Sequence, residues 1–357
     1  MSERRPRVLV VGLGGIGGVV GVHLLEQGVD ATLLTTNAEI AAAIEADGYS
    51  LAEDGEARVV RGPVTRALDA STEPFDFILV ATQPPQAEAA ALSVREHLAP
   101  DGLWVFFQNG LVEERLAPTL GADAVVGGII AWGASMIGPG RYERTSSGGF
   151  TIGRLDGAYD ARLEALAILL EAVGPVEITS NLRGARWSKL ALNAAISTLG
   201  ALGGDRLGAL LVHRHVRRLA LEIMTEVVDV ARAEGVRLEK VAGTLDLDWI
   251  ALDDEERAAS GSASLVSKHA LLLAVGARYR RLRSSMLSAL ERGRPPAVDF
   301  LNGEVVRRAE ARGLAAPVNA AALARVHAIA RGEARSSLDT LRALYEDTRR
   351  RRARDPG

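Results

Sequence analysis

Residues Arg7 to Asp30 read RVLVVGLGGIGGVVGVHLLEQGVD. The apolar run Val8 to Val11 passes straight into Gly12-Leu13-Gly14-Gly15-Ile16-Gly17, and a helical pattern follows with Val19, Val20, Leu24 and Leu25 on its apolar face. A strand that ends on such a turn and feeds a helix opens a βαβ unit, so this segment commits the N-terminal part of the chain to a parallel sheet with crossover helices. Gly12 allows the tight turn out of the strand, Gly14 lets phosphates come close to the backbone, and Gly17 lets the new helix pack on the strand. The helix N-terminus then offers N–H groups to an anion. A GxGxxG run alone is a weak signal, but with a strand before it and a helix after it residues 12–17 become a candidate dinucleotide site.

Strand and helix signals keep alternating behind that turn. Ala31 to Leu34 reads as the second strand, Asn37 to Asp47 as a helix stopped by Gly48, and Tyr49 to Arg61 as a polar hairpin. Phe75 to Ala81 is a buried strand ending on Thr82-Gln83-Pro84-Pro85, and Leu103 to Phe107 is another, ending on Gln108-Asn109-Gly110. Ligands of such sheets sit beyond the carboxyl ends of the strands, so both ends belong to one rim. Val125 to Trp132 and Phe150 to Ile152 complete the first domain. From about Asn181 the pattern turns almost wholly helical. The expected architecture is α/β: a Rossmann doubly wound domain over 1–180, a helical domain over 181–346, and a disordered basic tail over 347–357. A chain of 357 residues, 48% hydrophobic, has material for two such cores.

The helical half opens on RWSKLALNAAIS, in which Lys189, Asn193 and Ser197 recur every four residues and therefore share one helix face. An amine, an amide and a hydroxyl among small and apolar neighbours suit a substrate site; a solvated stripe is the alternative.

Several spaced motifs, taken in order, resemble the ketopantoate reductase (2-dehydropantoate 2-reductase) family over nearly the whole chain. They are GLGGIG at 12–17, QNG at 108–110, VVGGIIAWGA leading to Pro139-Gly140, RWSKLALN at 186–193, and SSML…RGRP…DFLNGEVVRRAEARGL…PVN from Ser284 to Asn319. The resemblance implies a Rossmann domain, a helical domain, NADPH as cofactor, and hydride transfer to the C2 carbonyl of a 2-oxo acid. It implies that Lys189 is the catalytic lysine, giving a proton to the developing alkoxide, a task suited to a tuned ammonium. It further implies that Asn109, Asn193, Ser197 and Ser285 lie at substrate-binding positions, with Asn109 also on the cofactor rim. Asn109 before Gly110 can equally make a turn, and Ser285 can equally cap a helix.

The departures from the family pattern point to an altered pocket. Gln83 stands where the family usually has a lysine, Ala297 where it has the glutamate that engages a substrate hydroxyl, Ala289 where it has an aspartate, and Ser197 where it has an asparagine. A site built for a hydroxyl leaves polar groups unpaired without it, so losing the glutamate leaves two substrates open: ketopantoate in a rearranged pocket, or a related, more apolar compound. At the end of the second strand Thr35-Thr36-Asn37 replaces the acid that would hold the ribose hydroxyls of NAD, which favours NADP; Thr36 stands where the family usually has its phosphate-gripping arginine.

A net charge of −3 argues against nucleic acid or an anionic membrane as partner, and no apolar run reaches spanning length. There is no cysteine, which excludes disulfides and thiolate chemistry. MSERRPR leads into the first strand without a secretory h-region, and a cytoplasmic location is expected. No metal site is expected: His213 and His215, two apart on a helix, should face different sides, and Asp253-Asp254-Glu255-Glu256 reads as a solvated loop or helix start. Apolar stretches at Leu207–Ala233 and Leu265–Leu290 suggest core and a homodimer face. The rival to a reductase is a non-catalytic NADP-binding sensor or scaffold; a carbonyl or imine reductase of a specialised pathway is a variant of the leading reading.

Overall fold

A computed structural model describes residues 5–240, 245–258 and 262–354. The chain divides into two compact units, Met1–Leu182 and Arg183–Gly357. In the first unit the elements run β1 (Arg7–Val11), α1 (Gly15–Glu26), β2 (Asp30–Leu34), α2 (Ala38–Asp47), β3 (Tyr49–Glu53), β4 (Glu56–Val60), β5 (Val64–Thr65), β6 (Phe75–Val80), α3 (Pro84–Ser93), β7 (Leu98–Phe106), α4 (Val112–Leu120), β8 (Val125–Ile130), β9 (Gly133–Gly138), β10 (Arg141–Ser146), β11 (Phe150–Arg154), α5 (Ala161–Leu170) and β12 (Val176–Ile178).

An eight-stranded sheet has the order β12-β11-β8-β7-β6-β1-β2-β5. From β5 to β8 every pairing is parallel, the doubly wound order expected from the opening motif; β11 then pairs antiparallel with β8, and β12, parallel to β11, shares its reversed direction. Its central strands are covered on both faces, which is why they read as unbroken apolar runs: Val8, Leu9 and Val10 are wholly buried.

The expected hairpin over 49–61 is present as β3 and β4, paired antiparallel. It belongs to a second, four-stranded sheet, β4-β3-β10-β9, that the sequence reading did not foresee. Its strands β9 and β10 are rich in glycine and polar residues, and β10 pairs in parallel with β3, 91 positions earlier, so no local period announces it. Helix α1 packs tightly on this second sheet: a Cβ on Gly18 would lie 2.1 Å from the Tyr142 ring.

The second unit comprises α6 (Leu182–Gly203), which starts at the boundary, α7 (Leu207–Leu211), α8 (Arg214–Ala233), α9 (Leu247–Ile250), α10 (Asp254–Ala258), α11 (Ala263–Arg278), α12 (Ser285–Glu291), α13 (Asn302–Ala311), α14 (Pro317–Ala330) and α15 (Leu338–Arg354), with a 3-10 turn at Ala297–Phe300. None of its described helices is long and apolar enough to cross a membrane.

Three expectations change here. Helix α15 continues to Arg354, so residues 347–354 are helical where a loose tail was expected; 355–357 lie outside the described residues. The acidic run 253–256, read as a solvated loop or a helix start, does start α10, but Glu256 is buried and bonded to Lys268 rather than solvated, because α10 folds its third residue inward against α11. His213 is the N-cap of α8 and so lies off the helical spiral, which brings its ring to 5.7 Å from that of His215. Among the described residues no group of three or more His, Asp or Glu side chains is arranged to hold a metal.

Candidate active site

In the first unit the carboxyl ends of β1, β2, β6 and β7 form one level rim. Gly12 N donates to Leu34 O (2.9 Å), Ala81 N to Val11 O (2.8 Å), and Phe107 N to Val80 O (3.3 Å), so the residues after each strand are held side by side. Gly12 turns away from β1 with φ of +96°, a conformation L side chains rarely adopt, and a Cβ there would press to 2.6 Å from the Thr82 methyl. Gly17 lies so close to the turn that a Cβ would be 2.0 Å from Gly12 O. At Gly14, the N-cap of α1, a Cβ would meet nothing within 4 Å. The glycines thus divide as the motif predicts: two are required by the protein's own packing, while the third faces open space beside the first N–H groups of α1. Gly15 is required for another reason, since its Cβ would be 2.7 Å from Ala134 O on β9. Leu13 is buried and Ile16 half-buried, so these two serve the turn through their packing and backbone.

Tyr142, reaching over from the second sheet, donates its hydroxyl to Leu13 O (3.3 Å) and steadies the turn. Burial pushes its phenol pKa well upward, which keeps it a neutral donor. Gln108 is buried at the end of β7, and its Nε2 donates to both Val80 O and Thr82 O at 3.0 Å, fixing the end of β6 to that of β7. The Thr82 hydroxyl is buried beside Gly12 with no hydrogen-bond partner among the described residues. Tyr142 was not singled out from the sequence, and Gln108 and Thr82 were placed on the rim without a role of their own.

The remaining rim residues are where the strand assignments put them. Thr35 is buried, and its hydroxyl accepts from Asn37 N (3.3 Å); Thr36 and Asn37 are exposed, with Asn37 Oδ1 capping α2 at Ile40 N (3.0 Å). Gln83 is exposed at the N-cap position of α3 and makes no side-chain cap bond. Asn109 is exposed in the turn after β7, with Gly110 following at φ of +93°.

In the second unit Lys189, Asn193 and Ser197 lie along one face of α6, all half-buried. The Asn193 amide nitrogen is buried and has no hydrogen-bond partner among the described residues. A solvated stripe would not bury such a group. Helix α6 is pinned on its other side. Asn302, the first residue of α13, accepts from the Thr198 hydroxyl and donates through Nδ2 to Ala194 O (3.2 Å) and to Asn319 Oδ1 (2.9 Å). Asn319 on α14 donates in turn to Glu226 Oε2 on α8 (2.7 Å), and Glu226 also accepts from the backbone N–H groups of Val318 and Asn319 at 2.8 Å each. One buried polar chain therefore ties α8, α14 and α13 to the helix that carries Lys189. Burial raises the Glu226 carboxyl to about 7 against the opposing pull of those donors.

The start of α12 is held to the same helix. The Ser284 hydroxyl donates to Ser197 O (2.7 Å) and caps α12 at Leu287 N (3.2 Å). Ser284 is thus the cap, and Ser285 stands exposed as the first helical residue, brought beside Ser197. Ala289 on α12 and Ala297 at the 3-10 turn are both half-buried. At the amino end of α6 the Ser188 hydroxyl donates to Glu239 O (2.7 Å), and the Arg308 guanidinium stacks over Trp187 while paired with Glu304 and Glu234.

Two family models match the chain: "Ketopantoate reductase PanE/ApbA" over residues 8–157 and its C-terminal counterpart over 181–330. A 2-dehydropantoate 2-reductase of Halobacterium salinarum is 32% identical over 317 residues, covering 87% of this chain and 95% of that protein. One from Pyrococcus horikoshii is 25% identical over 314 residues, covering 88% of this chain and 94% of the other. Among solved structures, a PanE/ApbA family ketopantoate reductase from Ralstonia eutropha aligns with a TM-score of 0.76 at 27% identity, covering 92% of this chain and 99% of its own. D-mandelate dehydrogenase, solved with NADH and anilino(oxo)acetate, aligns with a TM-score of 0.77 over the same shares of the two chains; at 18% identity that likeness is one of fold.

Proposed function

The chain belongs to the ketopantoate reductase family of oxidoreductases, which act on a CH–OH/C=O group, and on that premise we propose that it is an NADPH-dependent reductase of a 2-oxo acid more apolar than ketopantoate. The observation that carries this reading is the α6 face, where a half-buried Lys189 stands one helical turn from Asn193, whose buried amide nitrogen has no hydrogen-bond partner among the described residues. A protein that only bound a nucleotide would have no use for that pair.

The residues of the rim fit a nicotinamide dinucleotide. The space beyond Gly14 admits a pyrophosphate against the α1 N-terminus, and the Thr82 hydroxyl offers a further donor. Bound there, the reduced nicotinamide supplies the hydride to the substrate carbonyl carbon. Lys189 holds a proton for the carbonyl oxygen and delivers it as negative charge develops, so that no free alkoxide forms. Asn193 and Asn109 orient the substrate through their amides, and Ser285, with Ser197 beside it, offers a hydroxyl to the substrate carboxylate. The 2′-phosphate preference rests on the absence of an acid at Thr36. With methyl groups at Ala289 and Ala297, the walls offer no carboxylate to a substrate hydroxyl, which costs a hydroxylated substrate about a hundredfold in specificity.

The test is NADPH oxidation across a panel of 2-oxo acids that includes ketopantoate and compounds with alkyl or aryl side chains. Turnover highest on an apolar member supports the reading. Ketopantoate turned over as well as the best of the panel would overturn the substrate assignment, and no turnover of any carbonyl compound would overturn the reaction.

A further inference from the structure

At the carboxyl end of β2 the side chain that meets the adenosine ribose decides between a free 2′-hydroxyl and a 2′-phosphate. Thr36 exposes only a hydroxyl there and brings no charge. The neighbouring edge strand does. β5 pairs in parallel with β2, Leu34 opposite Thr65, and the ladder runs one bond further through Thr35 N and Thr65 O (3.0 Å). Arg66 is therefore the next residue out of β5, level with Thr35 across an inter-strand gap of ~4.8 Å. The Thr65 hydroxyl donates to Ala67 O (2.6 Å) and closes a turn around Arg66, so its backbone is held at that rim.

The Arg66 side chain is exposed and, among the described residues, makes no hydrogen bond or ion pair. Other arginines of this unit are spent on structure: Arg58 on Glu26 and Glu53, Arg144 on Glu53, Arg154 and Arg162 on Asp160. A guanidinium left unpaired at the ribose end of a nucleotide rim, with the N-terminus of α2 beside it, is an anion site made by two elements at once. Glu39, in the first turn of α2, is the opposing charge it must outweigh.

We propose that Arg66 is the cofactor-specificity residue of this chain, its guanidinium taking the 2′-phosphate of NADPH together with the Thr36 hydroxyl. This rests on the NADPH reading above, and the experiment separates the two. NADPH, NADH, adenosine 2′,5′-bisphosphate and AMP are titrated by fluorescence or calorimetry into wild type, Arg66→Ala and Arg66→Lys, at low and high salt. The expected result is that Arg66→Ala weakens NADPH and the bisphosphate at least ~10-fold while NADH and AMP stay unchanged, since only the phosphate loses a charge-assisted bond. Arg66→Lys falls between, and the salt dependence of NADPH binding shrinks in the alanine variant. Unchanged NADH affinity also shows that the variant is folded. A wild type that prefers NADPH, with the preference intact in Arg66→Ala, overturns the role of Arg66 and leaves the cofactor reading standing. A wild type that binds NADH as tightly as NADPH overturns both.

Discussion

Behind the glycine turn of the first unit stand Val8, Leu9 and Val10, wholly buried and apolar, whereas behind the Lys189 face of the second stand Thr198, Asn302, Asn319 and Glu226, equally buried and all polar. Under the proposed reading the rim binds through backbone N–H groups, and what the turn requires of its neighbours is chiefly shape. The α6 face offers side chains, whose placement depends on how the helix is rotated and where it sits along its axis. Apolar packing tolerates small slips of a helix; a chain of directed hydrogen bonds does not. The contrast teaches that a backbone site can rest on an ordinary core, while a site made of a lysine and an asparagine on one helix calls for a polar frame that fixes that helix.

The sharpest way to break the comparison on the first side is Gly17→Ala. Its Cβ would be 2.0 Å from Gly12 O, so the turn or the helix must move, and a loss of about 3 kcal/mol or more in denaturant unfolding is expected. A neutral substitution would show that the close approach is not required.

On the second side the pH profile tests the frame. The Glu226 carboxyl is raised from 4.5 to about 7 by burial, so over that window the native state keeps a proton that the unfolded chain releases. Its contribution to stability is fully present below the unfolded value and is lost as pH rises through about 7, a decline on the order of 2–3 kcal/mol. Thermal unfolding from pH 5 to 8 should show that decline, and Glu226→Gln should flatten it. A slope unchanged in the variant would assign it to another group.

Asn319→Ala removes one of three donors from the Glu226 carboxyl and one of two acceptors from the Asn302 amide, and about 2 kcal/mol of stability should go with the two lost bonds, while NADPH affinity measured below the transition is unaltered. A cost near zero would mean that the polar chain holds nothing. The smallest effect on stability belongs to Gly14→Ala, within about 0.5 kcal/mol because nothing lies near its Cβ, yet NADPH binding should weaken ~10-fold. Intact binding there would place the pyrophosphate elsewhere.

The same contrast explains what could be read in advance. The strand, turn and helix of 7–26 are contiguous, so the parallel sheet and its rim were legible from residue order alone, although the neighbours that require Gly12 and Gly15, Thr82 and Ala134, lie far along the chain. Lys189, Asn193 and Ser197 were legible as a face because helical spacing is local. Tyr142 under the turn was not, since it arrives on a polar strand of an unforeseen sheet from 129 positions away. Nor was the frame of Asn302, Asn319 and Glu226, whose bonds span from 17 to 108 positions and leave no period in the sequence. Ser284 and Ser285 show the limit at its finest: adjacent serines, of which only the fold says that the first caps the helix and the second is exposed.

The central claim is that the nucleotide is bound by the backbone rim and that the proton comes from α6. It is tested most directly by Lys189→Ala, with NADPH affinity and turnover on the best 2-oxo acid measured on the same preparation. The account predicts an unchanged dissociation constant and a kcat lowered ~100-fold or more. Wild-type turnover in that variant would contradict it.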